Sequence, residues 1–228
     1  MFTFSDRWVI LLVVLMISSV ALCAVFWRFK YWIRGSRSEA WQRIAESIGF
    51  SYRERDAGAL QPYSHFDTLS QGTELAQHLL ESEANGLWRC IADYVTVGED
   101  GANKSQTICL VRSDRLALPH FIIQPATWLS RQAIKLIGKT ADLPFIEHPD
   151  DADFNSAYHL QGGDTTAVEA ALTPEVRAFL MLQRERGFCI EADGQTLLFH
   201  TQTLVRPDKA PDMLDKSLEI LRVFTQNR

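Results

Sequence analysis

The densest group of potential metal ligands is Glu147-His148-Pro149-Asp150-Asp151-Ala152-Asp153. A hard cation takes about six to eight oxygens, and alternate acidic positions could supply several. The spacing departs from a calcium loop of the helix-loop-helix type, which needs a mid-loop glycine and a terminal glutamate. Pro144 and Pro149 make the stretch turn-rich, so a solvated acidic loop is the expectation. The six histidines are His65, His78, His120, His148, His159 and His200. No two stand at the spacing of zinc ligands, and no cysteine pair accompanies them. His78, His120 and His200 fall in or beside expected strands.

Nucleophilic chemistry has equally little to start from. A cysteine hydrolase would need a base brought beside Cys90, Cys109 or Cys189, and nothing in the sequence flags such a pair. No G-x-S-x-G elbow offers a serine version. Gly162-Gly163-Asp164-Thr165-Thr166 precedes a helix and could meet an anion there. It lacks the lysine of a phosphate loop and the glycine spacing of a dinucleotide site. A glycine turn followed by an Asp or Thr cap explains it. The sequence therefore names no catalytic, cofactor-binding or metal-binding residue, and no cofactor.

The strongest feature is physical. Trp8 to Trp27 reads WVILLVVLMISSVALCAVFW, 20 residues without a charge, proline or glycine. At about 1.5 Å per residue, such a helix spans about 30 Å, the thickness of a bilayer's hydrocarbon core. Tryptophans stand at both ends, where amphipathic rings prefer the interface. Ser18 and Ser19 can bond back to carbonyls of the preceding turn. A signal peptidase site is poorly formed, because Val25-Phe26-Trp27 continue the apolar run after Ala24. A lipoprotein site is equally poor, because Leu22 before Cys23 is large. Arg28, Lys30, Arg34 and Arg37 follow the span, so the positive-inside rule places that side in the cytoplasm. The expectation is an uncleaved single-pass anchor in a bacterial plasma (inner) membrane, N-terminus outside. Residues 1–37 form the anchor with its basic flank, and residues 38–228 a single cytoplasmic domain.

The 191 residues after Arg37 hold 18 basic and 27 acidic side chains, a net charge of −9. A domain of that sign is a poor general binder of nucleic acid, whose affinity is mostly electrostatic. Hydrophobic content of 46% and charged content of 22% are ordinary for a folded protein. Three cysteines beyond the apolar run, each among apolar neighbours, fit buried thiols in a reducing compartment better than a disulfide framework.

Ser38 is expected to cap a helix from Glu39 to about Ile48, ended by Gly49, with Trp41, Ile44, Ala45 and Ile48 on its apolar face. Phe50 to Arg55 reads as a first strand, and Asp56 to Gln71 as loop with a helical turn. Ala76–Glu83 and Leu87–Val97 flank Asn85-Gly86, a dipeptide suited to the two left-handed positions of a type I′ hairpin. Thr107–Arg112 and Phe121–Ile123 follow as strands. Pro125 opens a helix through Gly138 with Trp128 on its apolar side. Tyr158 to Leu160 reads as a strand end. Thr165–Ala171 and Pro174–Arg186 read as helices, the second with Val176, Phe179, Leu180 and Leu182 inward. Phe188–Ala192 and Gln195–Thr201 flank Asp193-Gly194, a second type I′ signal. A last helix after Pro207 carries Met213, Leu214, Leu218, Leu221 and Phe224 on one face. Clustered strands predict an α+β fold, an antiparallel meander sheet packed with helices and preceded by one transmembrane helix.

Trp41-x-x-x-Ala45-x-x-x-Gly49-Phe50, Asn85-Gly86, Asp93-Tyr94, Gln106-Thr107, Leu118-Pro119-x-Phe121 and Glu147-His148-Pro149 resemble a group of uncharacterised bacterial proteins. Those pair one N-terminal transmembrane helix with a soluble α+β domain. The resemblance implies this topology and no activity. The functional expectation is a membrane-anchored interaction or scaffold module: the bilayer is met through Trp8–Trp27 and a membrane-protein partner by the domain. A membrane-associated enzyme of hydrolase type, or a lipid or small-molecule sensor, stand as alternatives.

Overall fold

The computed structural model describes residues 15–16, 18–20, 22, 37–70, 72–97, 103–126, 143–184 and 187–226. The described positions between 15 and 22 are helical, and Ser19 Oγ donates to the Met16 carbonyl at 2.8 Å. That is the back-bond expected of a hydroxyl in an apolar helix. The rest of the apolar run Trp8–Trp27, expected as an anchor, lies outside the described residues. Among the described residues no helix is long and apolar enough to cross a membrane. The helix expected from Pro125 to Gly138 also lies outside them, apart from Pro125, which closes a strand, and Ala126.

The first helix of the domain, α1, covers 37–48, and Gly49 leaves it at φ +72°. Glycine pays no Cβ penalty in that left-handed position, so the helix stops where the sequence implied. Ser38 is not its cap. The helix already includes Arg37, and Ser38 Oγ instead donates to Glu54 Oε1 at 3.4 Å. Next come β1 (Ser51–Asp56), a 3-10 turn at Gln61–Tyr63, and α2 (Asp67–Ser70). Strands β2 (Gly72–Ala84), β3 (Leu87–Val97), β4 (Asn103–Ser113) and β5 (Leu118–Pro125) follow. The chain continues through β6 (Phe145–Ile146), α3 (Ala152–Ala157), β7 (Tyr158–Gly162), α4 (Thr165–Ala171) and α5 (Pro174–Leu182). It ends with β8 (Cys189–Gly194), β9 (Thr196–His200) and α6 (Ala210–Gln226).

The nine strands among the described residues form one antiparallel sheet in the order β1-β2-β3-β4-β9-β8-β5-β7-β6. The expected meander holds from β1 to β4 and then fails. The β8–β9 hairpin is inserted between β4 and β5. The reason is burial: Thr196 to His200 is buried at every position, as is Cys189 to Ala192. Strands buried on both faces need neighbours and cover on both sides, which a sheet offers at its centre.

Asn85 and Gly86 take φ of 55° and 71°, the type I′ geometry expected. The second hairpin differs. Asp193 pairs with Thr196, so the two-residue turn is Gly194-Gln195, with positive φ at Gly194 alone of these residues. A leading glycine with a right-handed second residue is the type II′ pattern.

The sheet is covered on both faces. On one, Trp41, Ala45, Met213, Leu214, Leu221 and Phe224 pack on Ile91, Cys109, Val111, Leu197 and Phe199. On the other, Leu60, Tyr63, Phe66 and Leu69 pack on Cys90, Ala92, Tyr94, Ile108, Leu110 and Leu198. The stretch read as loop therefore builds a second core. In α5, Val176 and Leu180 turn inward as expected, but Leu182 is 81% exposed and Arg177 takes an inward place.

Candidate functional site

Helix α1 meets the sheet through a buried polar junction. Arg37 Nε and Nη2 both donate to Asp93 Oδ2, at 2.9 and 2.7 Å, and Nη2 also donates to the Val205 carbonyl at 2.9 Å. Thr107 Oγ1 donates to Asp93 Oδ1 at 2.6 Å and accepts from Val205 N at 2.8 Å. Asp93 and Thr107 are buried on the central strands β3 and β4. One carboxylate thus fixes the start of α1, a neighbouring strand and the segment leading to α6. Trp41, one turn along α1, lies under the Arg37 guanidinium at 5.5 Å. A planar cation suits both the carboxylate and the ring face.

His78 completes the junction. Between Gln77 and Leu80 strand β2 carries one extra residue relative to β3, and His78 there has φ +51°. A bulge of this kind re-aims a side chain out of the strand's alternation. The imidazole turns toward α1, where Nδ1 lies 3.0 Å from the Tyr52 hydroxyl and the ring stacks 6.4 Å from Trp41. Burial pushes the His78 pKa down and the Tyr52 pKa up.

A second polar cluster lies on the opposite face. Glu191, on β8, is completely buried and accepts from the backbone N–H of Asp67 at 2.6 Å and of Thr68 at 3.1 Å. It satisfies amides that open α2 and have no intrahelical partner. His120 Nε2 lies 3.2 Å from Glu191 Oε1, and this hydrogen bond raises the His120 pKa. His200 is oriented from both sides. Its Nδ1 accepts from Gln202 N at 3.2 Å, so the neutral ring carries its proton on Nε2, facing Thr68 Oγ1 at 3.4 Å. Burial pushes the His200 pKa down to about 4. A histidine donating to a hydroxyl has the reverse polarity of a general base activating a nucleophile. Thr68–His200 therefore holds α2 against the sheet rather than forming a hydrolytic pair.

The other residues singled out in the sequence are scattered. Asp151 caps α3 through Phe154 N at 3.1 Å and pairs with Arg177 Nε at 2.7 Å. Its pKa is lowered, first by that arginine. His148 Nε2 is 3.1 Å from Arg177 Nη1, and burial followed by the arginine's charge lowers its pKa. The acidic segment is thus partly a docking site for Arg177, and no group of three or more metal-ligating side chains converges among the described residues. Asp164 caps α4 through Ala167 N at 3.0 Å, as the glycine-turn reading required. Cys90, Cys109 and Cys189 are free and buried in separate places. Burial raises all three thiols, Cys109 to about 12. His65 and His159 join neither cluster; His65 Nε2 is 3.4 Å from Asp193 at the surface.

Sequence reasoning missed Arg37–Asp93, Glu191 and Arg177 as partners. Glu191 carried one usable signal, a lone carboxylate inside Phe188–Ala192, which is otherwise apolar. Burying such a charge demands partners from elsewhere in the chain.

The fold class is thus an α+β domain built on a nine-stranded antiparallel sheet. No family model and no curated protein matches the sequence. Among solved structures, the crystal structure of the mycobacterial trehalose monomycolate transport factor A, TtfA, is similar in fold. The TM-score is 0.58 at 14% identity, over 85% of this chain and 93% of that one.

Proposed function

We propose that the chain is a membrane-anchored interaction module, whose α+β domain docks on another membrane protein at the cytoplasmic face. The observation that carries the reading is the Arg37–Asp93 clamp. Nine residues separate Trp27 from Arg37. Even fully extended, that linker keeps Arg37 within about 35 Å of the end of the apolar run. Arg37 is bonded into the central sheet, so the domain begins almost where the anchor ends. A domain held that close meets membrane-protein partners at high effective concentration. The likeness to a protein named as a transport factor supports the same reading, because it spans nearly the whole of that chain. The exposed apolar side chains of Leu15, Met16, Val20 and Leu22 suit a lipid-facing helix.

Two experiments test it. An alkaline phosphatase fusion at the C-terminus should stay inactive in a bacterial host, and strong periplasmic activity would overturn the orientation. Short-range crosslinking in intact membranes should trap a membrane protein on residues 38–228. If the domain crosslinks to lipid or to nothing, the interaction role fails.

A further inference from the structure

A cleft of about 360 Å³ lies between the C-terminal half of α6 and the end of the sheet formed by the β2–β3 hairpin and the turn after β4. Pockets that hold small molecules begin at about this size, roughly 300–1,000 Å³. Its charged lining is of one sign: Arg89 from β3, Arg115 from the turn after β4, and Arg222 from α6. Leu87, Leu218 and Leu221 supply apolar wall beside them.

Three observations make the arginines unusual. None of them forms an ion pair with a carboxylate of the described residues, although most other arginines there do. The domain carries a net charge of −9, so three unpaired cations around one cleft run against its overall sign. Arg89 is half-buried, and its buried Nε has no hydrogen-bond partner. One of its Nη donates to Ser82 Oγ at 2.9 Å, and the guanidinium lies over the Phe50 ring at 5.1 Å. These contacts hold the fork in place and leave its positive charge uncompensated. A half-buried charge without a counter-ion is costly, and an anion entering the cleft would reduce that cost.

We propose that this cleft binds a phosphate-bearing amphipathic ligand, its anion held by Arg89, Arg115 and Arg222 and its apolar part by Leu87, Leu218 and Leu221. Guanidinium forks match the paired oxygens of a phosphate, and the leucines give a short alkyl or ring system a dry surface. The ligand comes either from solution or as a lipid headgroup. The inference goes beyond the docking role and stands whether or not a protein partner exists.

The test uses the full chain in nanodiscs of phosphatidylcholine, titrated calorimetrically with octyl phosphate, inorganic phosphate and octanol. Octyl phosphate should bind at least about tenfold more tightly than either of the others, since each needs half of the site. Arg115 and Arg222 are exposed, so the R115Q/R222Q variant should melt like the parent without ligand, yet bind octyl phosphate at least about tenfold more weakly. R89K keeps the charge and loses the fork, and should also weaken binding. Repeating the titration in discs containing phosphatidic acid identifies the source. Competition that depends on the arginines points to a lipid headgroup, and undiminished binding points to a soluble ligand. The proposal is overturned if octyl phosphate does not bind, if octanol binds as well, or if R115Q/R222Q binds octyl phosphate like the parent.

Discussion

Arg37 and Asp93 stand 56 positions apart in the chain and 2.7 Å apart in the fold. The arginine side chain is 24% exposed and the aspartate 6%, so the carboxylate is nearly desolvated while the cation keeps some water. Removing the carboxylate with Asp93→Ala strands Arg37 and frees Thr107. We expect a loss of about 2–4 kcal/mol in urea unfolding. Arg37→Lys keeps the charge but not both bonds to Oδ2, and its loss should fall between those of the parent and Asp93→Ala. If Asp93→Ala unfolds like the parent, the clamp contributes nothing.

His200 sets an acid limb of stability. His200 titrates near 6.5 when unfolded and at about 4 when buried. Above pH 6.5 the ring is neutral in both states. As pH falls toward 4, the unfolded chain takes up a proton that the folded ring refuses, so stability is lost across that window, on the order of 3 kcal/mol. His200→Asn should flatten the change between pH 7 and pH 5 in paired urea titrations. An unchanged slope would remove His200 as the cause.

His120 behaves in the opposite sense. Its folded pKa is raised, first by the hydrogen bond to Glu191, so its contribution is complete below about 6.5 and fades as pH rises through the folded value. In Glu191→Gln the His120 titration followed by NMR should move downward. The same variant should lose about 1–3 kcal/mol, because a carboxylate that receives two backbone N–H groups has become an amide.

Cys90, Cys109 and Cys189 should resist alkylation in the native state. Their thiols are buried and held protonated well above the usual range, so little thiolate exists near neutral pH. Mass mapping after iodoacetamide should find all three unmodified, and all three modified in guanidinium. Rapid native labelling of any of them would expose a local opening absent from the fold.

Gly162 ends β7 where a Cβ would lie 2.8 Å from Val168 Cγ2 and 3.2 Å from the His120 carbonyl oxygen. Gly162→Ala must therefore displace α4 from the sheet. We expect about 1–3 kcal/mol of destabilisation in thermal or urea melts. Asp164→Ala should cost about 1 kcal/mol through loss of the α4 cap.

Much of the architecture was legible because local chemistry wrote it. Asn85-Gly86 can form a type I′ turn by itself, and Gly49 can end a helix by itself. Thr165–Ala171 has the bounds that its sequence pattern suggested. Chain order misled at β5, because neighbouring strands usually pair and here a later hairpin displaced one of them. Ser38 misled for a similar reason. Its hydroxyl could cap a helix, but Arg37 found a buried carboxylate 56 residues away and the helix begins no later than that arginine.

The sequence by itself determined the long uncharged run with its basic flank, the α+β class, the hairpins and the burial of the thiols. These follow from transfer free energies, turn preferences and periodicity, which act over a few residues. Tertiary structure alone decided that Arg37 joins Asp93, that Glu191 caps α2 from β8, and that Arg89, Arg115 and Arg222 surround one cleft. Charges separated by dozens of residues carry no mutual signal in a single chain. Their energy depends on distance and on exclusion of water, and both exist only once the sheet has brought them together.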